Sequence, residues 1–154
     1  MPLDVGAEAP DFTLKDQNNQ EIRLGDFRGR KAVLLVFYPF TFTGVCEGEL
    51  CAIRDDYSEF EKAGVQVLAC SCDTRFAQAQ WAAQQGYQFP VLSDFWPHGE
   101  VAKAYGVFLE KRGMAVRGTF LVDKAGIVRF AEVNGPGEAR DQSGWRTAVA
   151  ALAA

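Results

Sequence analysis

The apolar run Ala32–Tyr38 constrains the fold of this chain more than any other segment. All of its residues are apolar, so a strand formed here buries both of its faces. Such strands lie in the centre of a sheet that is covered by helices on both sides. Val65–Cys72 is a second, largely apolar run of the same kind. Together the two runs predict an α/β domain with a mixed central sheet flanked by helices.

The segments around these strands alternate between helical and extended patterns. Apolar residues recur at helical spacing after Cys46, which predicts one helix that runs to about Lys62 and ends at Gly64. The other predicted elements are an N-terminal hairpin of Phe12–Leu14 and Glu21–Leu24, a helix over Arg75–Gln85 capped by Asp73 or Thr74, a short strand over Phe89–Leu92, a short helix near Val101–Tyr105, a hairpin of Val116–Val122 and Ile127–Val133, and a closing helix over Asp141–Ala153 in which Trp145, Val149 and Leu152 face inward.

Cys46 lies where the first apolar strand gives way to the following helix. A helix N-terminus offers unpaired N–H groups and the positive end of the macrodipole, so it favours a thiolate over a thiol. The thiolate is the nucleophilic form of cysteine. The position therefore predicts an activated nucleophile.

Composition narrows the range of functions. The 154 residues suit a single domain over residues 1–154. With 16 basic and 20 acidic residues the net charge is −4, and the longest basic stretch is Arg28–Lys31, so nucleic acid is not an expected partner. The N-terminus lacks a signal-peptide pattern, and the apolar runs are far shorter than the ~20 residues that span a membrane. We therefore expect a cytoplasmic protein without membrane contact.

Four cysteines stand at positions 46, 51, 70 and 72. The cytosol does not keep structural disulfides, so redox chemistry explains at least one of these cysteines better. Their spacing does not form the paired Cys-x2–4-Cys pattern of structural zinc sites, and neither a metal nor another cofactor is expected. Cys70 and Cys72 lie two apart on a predicted strand and are interpreted as small buried residues.

Pro39, Thr43 and Cys46 match the Pro-x-x-x-Thr-x-x-Cys signature of peroxiredoxins, the cysteine-dependent peroxidases. Three further segments resemble family segments in the same order, namely Gly6–Leu14, Ser93–Gly99 and Arg117–Asp123. Together they most resemble the alkyl hydroperoxide reductase E-type subgroup. The resemblance implies a thioredoxin-like fold with the N-terminal β-hairpin as an addition. It also implies a thiol-dependent peroxidase that reduces hydrogen peroxide, organic hydroperoxides or peroxynitrite.

The same resemblance implies roles for the three signature residues. Cys46 is then the peroxidatic cysteine, whose thiolate attacks a peroxide oxygen and becomes a sulfenic acid. Thr43 hydrogen-bonds the peroxide and the thiolate, although a threonine at this position also suits a helix N-cap. Pro39 shields Cys46 from water, and it also ends the strand because it lacks an N–H.

Peroxiredoxins have an active-site arginine, whose fork of donors suits both a thiolate and a peroxide oxygen. By resemblance this residue is Arg117, and Glu49 helps to hold it. A carboxylate in the first helical turn is also favoured by the helix dipole alone. Arg112 and Arg129 are the alternatives to Arg117. His98, the only histidine, is interpreted as a hydrogen-bonding loop residue rather than as a general base.

Cys51 decides whether the enzyme uses one cysteine or two. The E-type subgroup typically has a single peroxidatic cysteine. The Cys-x4-Cys pair resembles instead peroxiredoxin Q (bacterioferritin comigratory) proteins, in which the second cysteine resolves the sulfenic acid. Cys51 also lies off the inward-facing stripe of its helix, so core packing is not expected to explain it. We favour Cys51 as the resolving cysteine, with Cys70, Cys72 or an external thiol as the alternatives.

A bond between Cys46 and Cys51 requires a change in the helix. Five residues along an α-helix place the two cysteines about 140° apart around the axis and about 7.5 Å apart along it. That exceeds the Cα separation of ~4.4–6.8 Å that a disulfide accepts. The first helical turns must therefore unwind, and Gly48 makes this easier because glycine weakens a helix.

Two other classes of protein are alternatives to a peroxidase. A thiol–disulfide reductase needs Cys-x-x-Cys at the helix start, where this chain has Cys46-Glu47-Gly48-Glu49. A redox-sensing or holdase protein, oxidised once at Cys46, is not excluded by the sequence as an additional role. For a peroxidase, the resemblance implies a thioredoxin- or glutaredoxin-like reductant and a homodimer formed through loops near the active site.

Overall fold

A seven-stranded mixed sheet organises the protein, whose computed structural model describes residues 2–153. The strands are β1 (Thr13–Lys15), β2 (Glu21–Arg23), β3 (Ala32–Phe37), β4 (Val65–Ser71), β5 (Val91–Ser93), β6 (Phe108–Leu109), β7 (Met114–Ala115), β8 (Arg117–Val122) and β9 (Val128–Asn134). The sheet order is β2-β1-β5-β4-β3-β8-β9, and β6 and β7 form a separate small hairpin. The helices are α1 (Gly44–Asp55), α2 (Tyr57–Lys62), α3 (Arg75–Gln85), α4 (Glu100–Ala104) and α5 (Gln142–Ala153).

The strand β3 lies in the middle of this sheet, between β4 and β8. Each of its residues is buried. Leu34 and Val36 belong to the core under α1, α3 and α5, whereas Leu35 and Phe37 belong to a second core on the opposite face of the sheet. The prediction of a central strand covered on both faces is confirmed.

Strand directions bring three chain segments to one edge of the sheet. β3 runs parallel to β4 and antiparallel to β8. The register pairs Val36 with Thr119, so Arg117 at the start of β8 lies level with the end of β3. The loop that leads from β3 into α1, the end of β4 and the start of β8 therefore meet. This edge holds the candidate site.

The structure differs from the predicted elements in three places. The predicted helix to Lys62 is interrupted at Asp56, whose φ of −106° and ψ of 13° lie outside the helical range and whose carboxylate pairs with Arg146 of α5 at 2.7 Å. Leu152, predicted to face inward, is 37% exposed near the end of α5. A 3-10 turn over Leu24–Phe27 and the hairpin of β6 and β7 were not predicted, because such short elements show no periodicity.

Within residues 2–153, no helix combines the length and apolar character needed to cross a bilayer. The same residues contain no group of three or more His, Cys, Asp or Glu side chains placed to hold a metal ion.

Candidate active site

Cys46 is the third residue of α1, directly under the helix N-terminus. Its side chain is fully buried, although the preceding residues Thr43, Gly44 and Val45 are exposed. The backbone of Thr43 is extended and forms the N-cap of the helix. The predicted strand-to-helix junction is confirmed. Cys46 therefore belongs to the first turn of the helix, whose N–H groups have no intrahelical partner, and its side chain is shielded from bulk water.

Arg117 reaches Cys46 from the start of β8. Its Nη1 donates to Cys46 Sγ at 3.1 Å and to Glu49 Oε1 at 2.7 Å, and its Nε donates to the Pro136 carbonyl oxygen at 2.9 Å. The side chain is 3% exposed. A buried guanidinium is tolerated where it is paired with a carboxylate and its donors are hydrogen-bonded. Of the three arginines considered from the sequence, the structure brings Arg117 to the cysteine.

Glu49 holds two arginines, the second of which the sequence did not reveal. The backbone N and the Nε of Arg140 donate to Glu49 Oε2 at 2.8 and 3.0 Å. Arg140 also donates to the carbonyl oxygen of Gly118, to Thr119 Oγ1 at 2.8 Å and to the carbonyl oxygen of Phe37. Burial lowers the pKa of Arg140, and the carboxylate of Glu49 opposes this shift.

Arg140 lies in the Gly-rich loop between β9 and α5. No local sequence pattern distinguishes this buried arginine from arginines on the surface, because its partners come from β3, β8 and α1. The sequence could not have singled it out.

Thr43 and Pro39 flank the cysteine as the signature requires. The Thr43 hydroxyl donates to the Phe40 carbonyl oxygen at 2.7 Å, and its own carbonyl oxygen accepts from the Glu47 N–H at 2.9 Å. Within residues 2–153, Thr43 forms no hydrogen bond with Cys46, so the predicted contact between them stays a prediction. Pro39 is buried just beyond the end of β3.

The loop between β3 and α1 is fixed by a partly buried polar network. Asp73 accepts from the Thr41 N–H at 2.8 Å and from the Ser71 hydroxyl at 2.6 Å. Thr41 Oγ1 in turn lies 3.0 Å from the Tyr38 hydroxyl. Burial raises the pKa of Tyr38, so this hydroxyl stays neutral in the ordinary pH range. The loop that carries Pro39 and Thr43 is thereby anchored to the end of β4.

Cys51 lies further along α1, on the side that faces α3. Its Sγ is 3.5 Å from both Gln85 Oε1 and the Tyr87 hydroxyl. The side chain is half-buried and packs against the core between α1 and the sheet. Core packing was not expected to explain Cys51, and the structure shows that its half-buried side chain nevertheless contacts the core cluster. Both Cys46 and Cys51 carry free thiols in an intact helix.

Cys70 and Cys72 occupy the buried strand β4 and its end. Burial raises the pKa of Cys70 well above its ordinary value, and nearby Asp94 acts in the same direction. Burial also raises the pKa of Cys72 to about 12. Both thiols are therefore protonated and weakly nucleophilic at neutral pH, in agreement with their interpretation as small buried residues.

His98 and the two alternative arginines lie in other surroundings. His98 Nδ1 is 2.9 Å from the Phe95 carbonyl oxygen, and its Nε2 is 2.7 Å from that of Gly113. The interpretation of His98 as a hydrogen-bonding loop residue is confirmed. Arg129 is half-exposed and forms an ion pair with Asp123 at 2.6 Å. Arg112 is exposed in the turn between β6 and β7.

Comparison with known proteins agrees with this geometry. The AhpC/TSA family model matches residues 5–131. Alkyl hydroperoxide reductase E of Mycobacterium tuberculosis is 57% identical over 152 residues, which cover 99% of each chain. Thioredoxin peroxidase of Echinococcus granulosus is 38% identical over 144 residues, covering 87% of this chain and 73% of the other. The family match and the buried cysteine at the strand–helix junction together define a peroxiredoxin-type thiol enzyme. This chain belongs to the AhpC/TSA family.

Solved structures show the same architecture. The reduced 2-Cys peroxiredoxin of Plasmodium vivax superimposes with a TM-score of 0.87 at 30% identity, over 98% of this chain and 82% of the other. AhpC of Mycobacterium tuberculosis gives a TM-score of 0.86 at 28% identity, over 99% and 94% of the two chains. The predicted thioredoxin-like α/β fold is confirmed.

Proposed function

We propose that this thiol-dependent peroxidase reduces hydrogen peroxide, organic hydroperoxides or peroxynitrite with Cys46 as the reacting thiol. The observation that carries the proposal is the 3.1 Å contact between Arg117 Nη1 and Cys46 Sγ inside a buried cluster. A guanidinium aimed at a sulfur at the start of a helix supports a thiolate there. The same guanidinium is already in place to receive the charge that develops on peroxide.

The charges of the cluster support an anionic Cys46. Arg117 and Arg140 are two buried cations, and Glu49 is the one carboxylate that both contact. One positive charge is left over, and a Cys46 thiolate balances it. Because the site is buried, such charge interactions are stronger than they would be in water.

The peroxide reaction then follows from these groups. The Cys46 thiolate attacks one oxygen of the peroxide, the S–O bond forms and the O–O bond breaks. The sulfur is oxidised to a sulfenic acid. From hydrogen peroxide or an organic hydroperoxide the second oxygen takes up a proton and leaves as water or an alcohol, and from peroxynitrite the leaving group is nitrite. Arg117 stabilises the negative charge on the leaving oxygen. The Thr43 hydroxyl, which donates to Phe40, keeps its lone pairs free to accept the O–H of a hydroperoxide.

Cys51 is the proposed resolving cysteine. Its thiol displaces water from the Cys46 sulfenic acid, which gives a disulfide and one molecule of water. The two residues lie on one intact helix, so this step requires α1 to unwind between them. Cys70 and Cys72 are weaker candidates because both are buried and protonated at neutral pH. An external thiol is the remaining alternative.

Replacing Cys51 by serine tests the resolving role. Oxidation of wild-type protein should give a Cys46–Cys51 peptide in mass spectra, and Cys51→Ser should give none. The variant should also lose turnover with a disulfide-reducing protein and accumulate over-oxidised Cys46 at lower peroxide concentrations. Cys72→Ser is the matched control and should behave as wild type. Full turnover of Cys51→Ser without extra over-oxidation would contradict the resolving role of Cys51 and assign resolution to Cys70, Cys72 or an external thiol.

A dithiol reductant of the thioredoxin or glutaredoxin type completes the proposed cycle, since it converts a Cys46–Cys51 disulfide back to two thiols. The proposal places the enzyme in the cytoplasm, where thiol reductants keep cysteines reduced.

The proposed assembly is a homodimer formed through the loops at the active-site edge. Three large aromatic side chains, Phe76, Phe95 and Trp96, are exposed close together near the ends of β4 and β5, with Trp96 80% exposed. Exposed aromatic patches of this kind mark interaction surfaces. Sedimentation velocity tests the proposal: twice the 16.9 kDa chain mass supports it, and a monomer at tens of micromolar protein contradicts it.

Peroxide stoichiometry separates a peroxidase from a redox sensor or holdase. With an excess of a disulfide reductant, each chain should consume many equivalents of hydrogen peroxide, because the Cys46 thiol is regenerated after each cycle. Consumption that stops at one equivalent per chain, with Cys46 oxidised and reductant still present, would favour the sensor.

A further inference from the structure

The first two turns of α1 are tied to α3 by one carboxylate. Glu47 Oε1 accepts from Trp81 Nε1 at 3.1 Å and from Gln85 Nε2 at 2.7 Å. The Glu47 carbonyl oxygen accepts from the Tyr87 hydroxyl at 3.4 Å. We call Glu47, Trp81 and Gln85 the α1 latch. The peroxide step described above does not use it.

The two hydrogen bonds of the latch hold the start of α1 firmly to α3. An ionised carboxylate makes stronger hydrogen bonds than a neutral acceptor does. Trp81 is fully buried, so loss of Glu47 leaves its indole N–H without this partner in a region with little water. An unpaired buried donor is costly. The turn that carries Glu47 therefore resists separation from α3.

The position of the latch gives it a consequence for disulfide formation. Glu47 follows Cys46 directly and precedes Cys51, so it lies within the segment that must unwind before the two sulfurs meet. Cys51 itself is held by contacts with Gln85 and Tyr87. Unwinding moves Cys46 towards a fixed Cys51 and breaks the latch.

Two neighbouring features act in the opposite direction. Phe42 has a φ of +68° just before α1, a conformation that is strained for a bulky side chain. Gly48 weakens the helix between the cysteines. The α1 start is thus held closed by the latch against a local tendency to unwind.

We propose that the α1 latch sets the rate at which oxidised Cys46 reaches Cys51, and with it the fraction of enzyme lost to over-oxidation. Two reactions compete for the Cys46 sulfenic acid. Attack by the Cys51 thiol gives a disulfide and water, whereas a second peroxide oxidises the sulfenic acid to sulfinic acid and is itself reduced to water. A tighter latch favours the second reaction. This inference rests on the proposed role of Cys51, and Glu47 acts as a positioning residue.

Opposite substitutions in adjacent positions test the latch. Glu47→Ala removes both side-chain bonds, and alanine is the better helix former, so faster unwinding cannot come from helix propensity. Gly48→Ala strengthens the helix, and a Cβ there meets no atom within 4 Å. Glu59→Ala, in which an exposed carboxylate of α2 is lost, is the matched control. Glu47→Gln keeps the shape of the side chain and weakens the bonds, which provides a second variant should Glu47→Ala fold poorly.

The measurement follows Cys46 sulfenic acid, disulfide and sulfinic acid by rapid thiol trapping and mass spectrometry after addition of hydrogen peroxide. Sulfenic acid should form at the wild-type rate in every variant. The disulfide should form at least about tenfold faster in Glu47→Ala, faster to a smaller extent in Glu47→Gln, and about fivefold slower in Gly48→Ala, the equivalent of ~1 kcal/mol of helix propensity. Sulfinic acid at excess peroxide should change in the reverse order.

The outcomes separate the latch from the resolving role on which it rests. Wild-type rates of disulfide formation in both Glu47 variants would overturn the latch and leave Cys51 as resolver. A wild-type protein that forms no Cys46–Cys51 disulfide would overturn the resolving role and the latch with it. A Glu59→Ala protein that matches the Glu47→Ala rate would show a general loss of helix stability, and would also overturn the latch.

Discussion

Replacing Arg117 by lysine is expected to slow the oxidation of Cys46 by hydrogen peroxide about 10²-fold while the fold is kept. Arg117 serves three partners from one planar group, namely the Cys46 sulfur, the Glu49 carboxylate and the Pro136 carbonyl oxygen. Lysine keeps the charge, but it is a point donor that cannot serve the carboxylate and the sulfur in the same geometry. The loss should therefore fall on the reaction rate rather than on stability.

Stopped-flow measurement of the oxidation rate, with urea unfolding in parallel, checks this expectation. Arg129→Lys is the matched control, because Arg129 lies on the adjacent strand β9 in a half-exposed pair with Asp123. The control should oxidise at the wild-type rate. If Arg117→Lys also does so, the guanidinium does not stabilise the transition state, and the proposed role of Arg117 is wrong.

Replacing Glu49 by glutamine is expected to lower the free energy of unfolding by ~3–5 kcal/mol. The carboxylate accepts from Arg117 at 2.7 Å and from Arg140 at 3.0 Å, and all three side chains are buried. The amide has the same shape, but it carries no charge, and one of its two positions becomes a donor that faces a guanidinium. Two buried cations are then left without their shared counter-ion, which is the costly case for a buried ion pair.

Urea denaturation at neutral pH measures this loss. Glu59→Gln is the control, since Glu59 pairs with Lys62 at 3.7 Å on the surface and is 70% exposed. Its substitution should change the unfolding free energy by less than ~1 kcal/mol. Equal effects of the two substitutions would mean that the arginine cluster does not depend on Glu49 for its stability.

The fold could be predicted from the sequence because its signals are local and repeated. The apolar run of β3, the helical stripe of α1 and the hairpin of β8 and β9 each show a pattern of apolar residues that predicts a strand or a helix directly. The break at Asp56 was missed because apolar residues continue at helical spacing on both sides of it. Its cause is partly tertiary, since Asp56 pairs with Arg146 from the distant helix α5.

The site was predictable in part for the same reason. Cys46, Thr43 and Pro39 lie within one short segment, and the resemblance to a known family pointed to Arg117. Arg140 could not be predicted because its place in the site depends on its ion pair with Glu49, which lies 91 positions away in the chain. The hydrogen bonds of the α1 latch could not be predicted from the sequence either.

Neither the partners of Glu47 nor those of Cys51 follow from α1 alone. Gln85 contacts both residues from the end of α3. Side-chain contacts between elements depend on how helices pack, and sequence periodicity does not specify that to the accuracy of a hydrogen bond.

Peptide mapping after addition of one equivalent of hydrogen peroxide to the fully reduced protein tests the central claim most directly. The claim is that the thiol of Cys46, held by Arg117 at the start of α1, is the group that peroxide oxidises. With a sulfenic-acid trap present, the label should appear on Cys46 within the first turnover, while Cys70 and Cys72 remain thiols. A first label on any other cysteine, with Cys46 still reduced, would contradict the account.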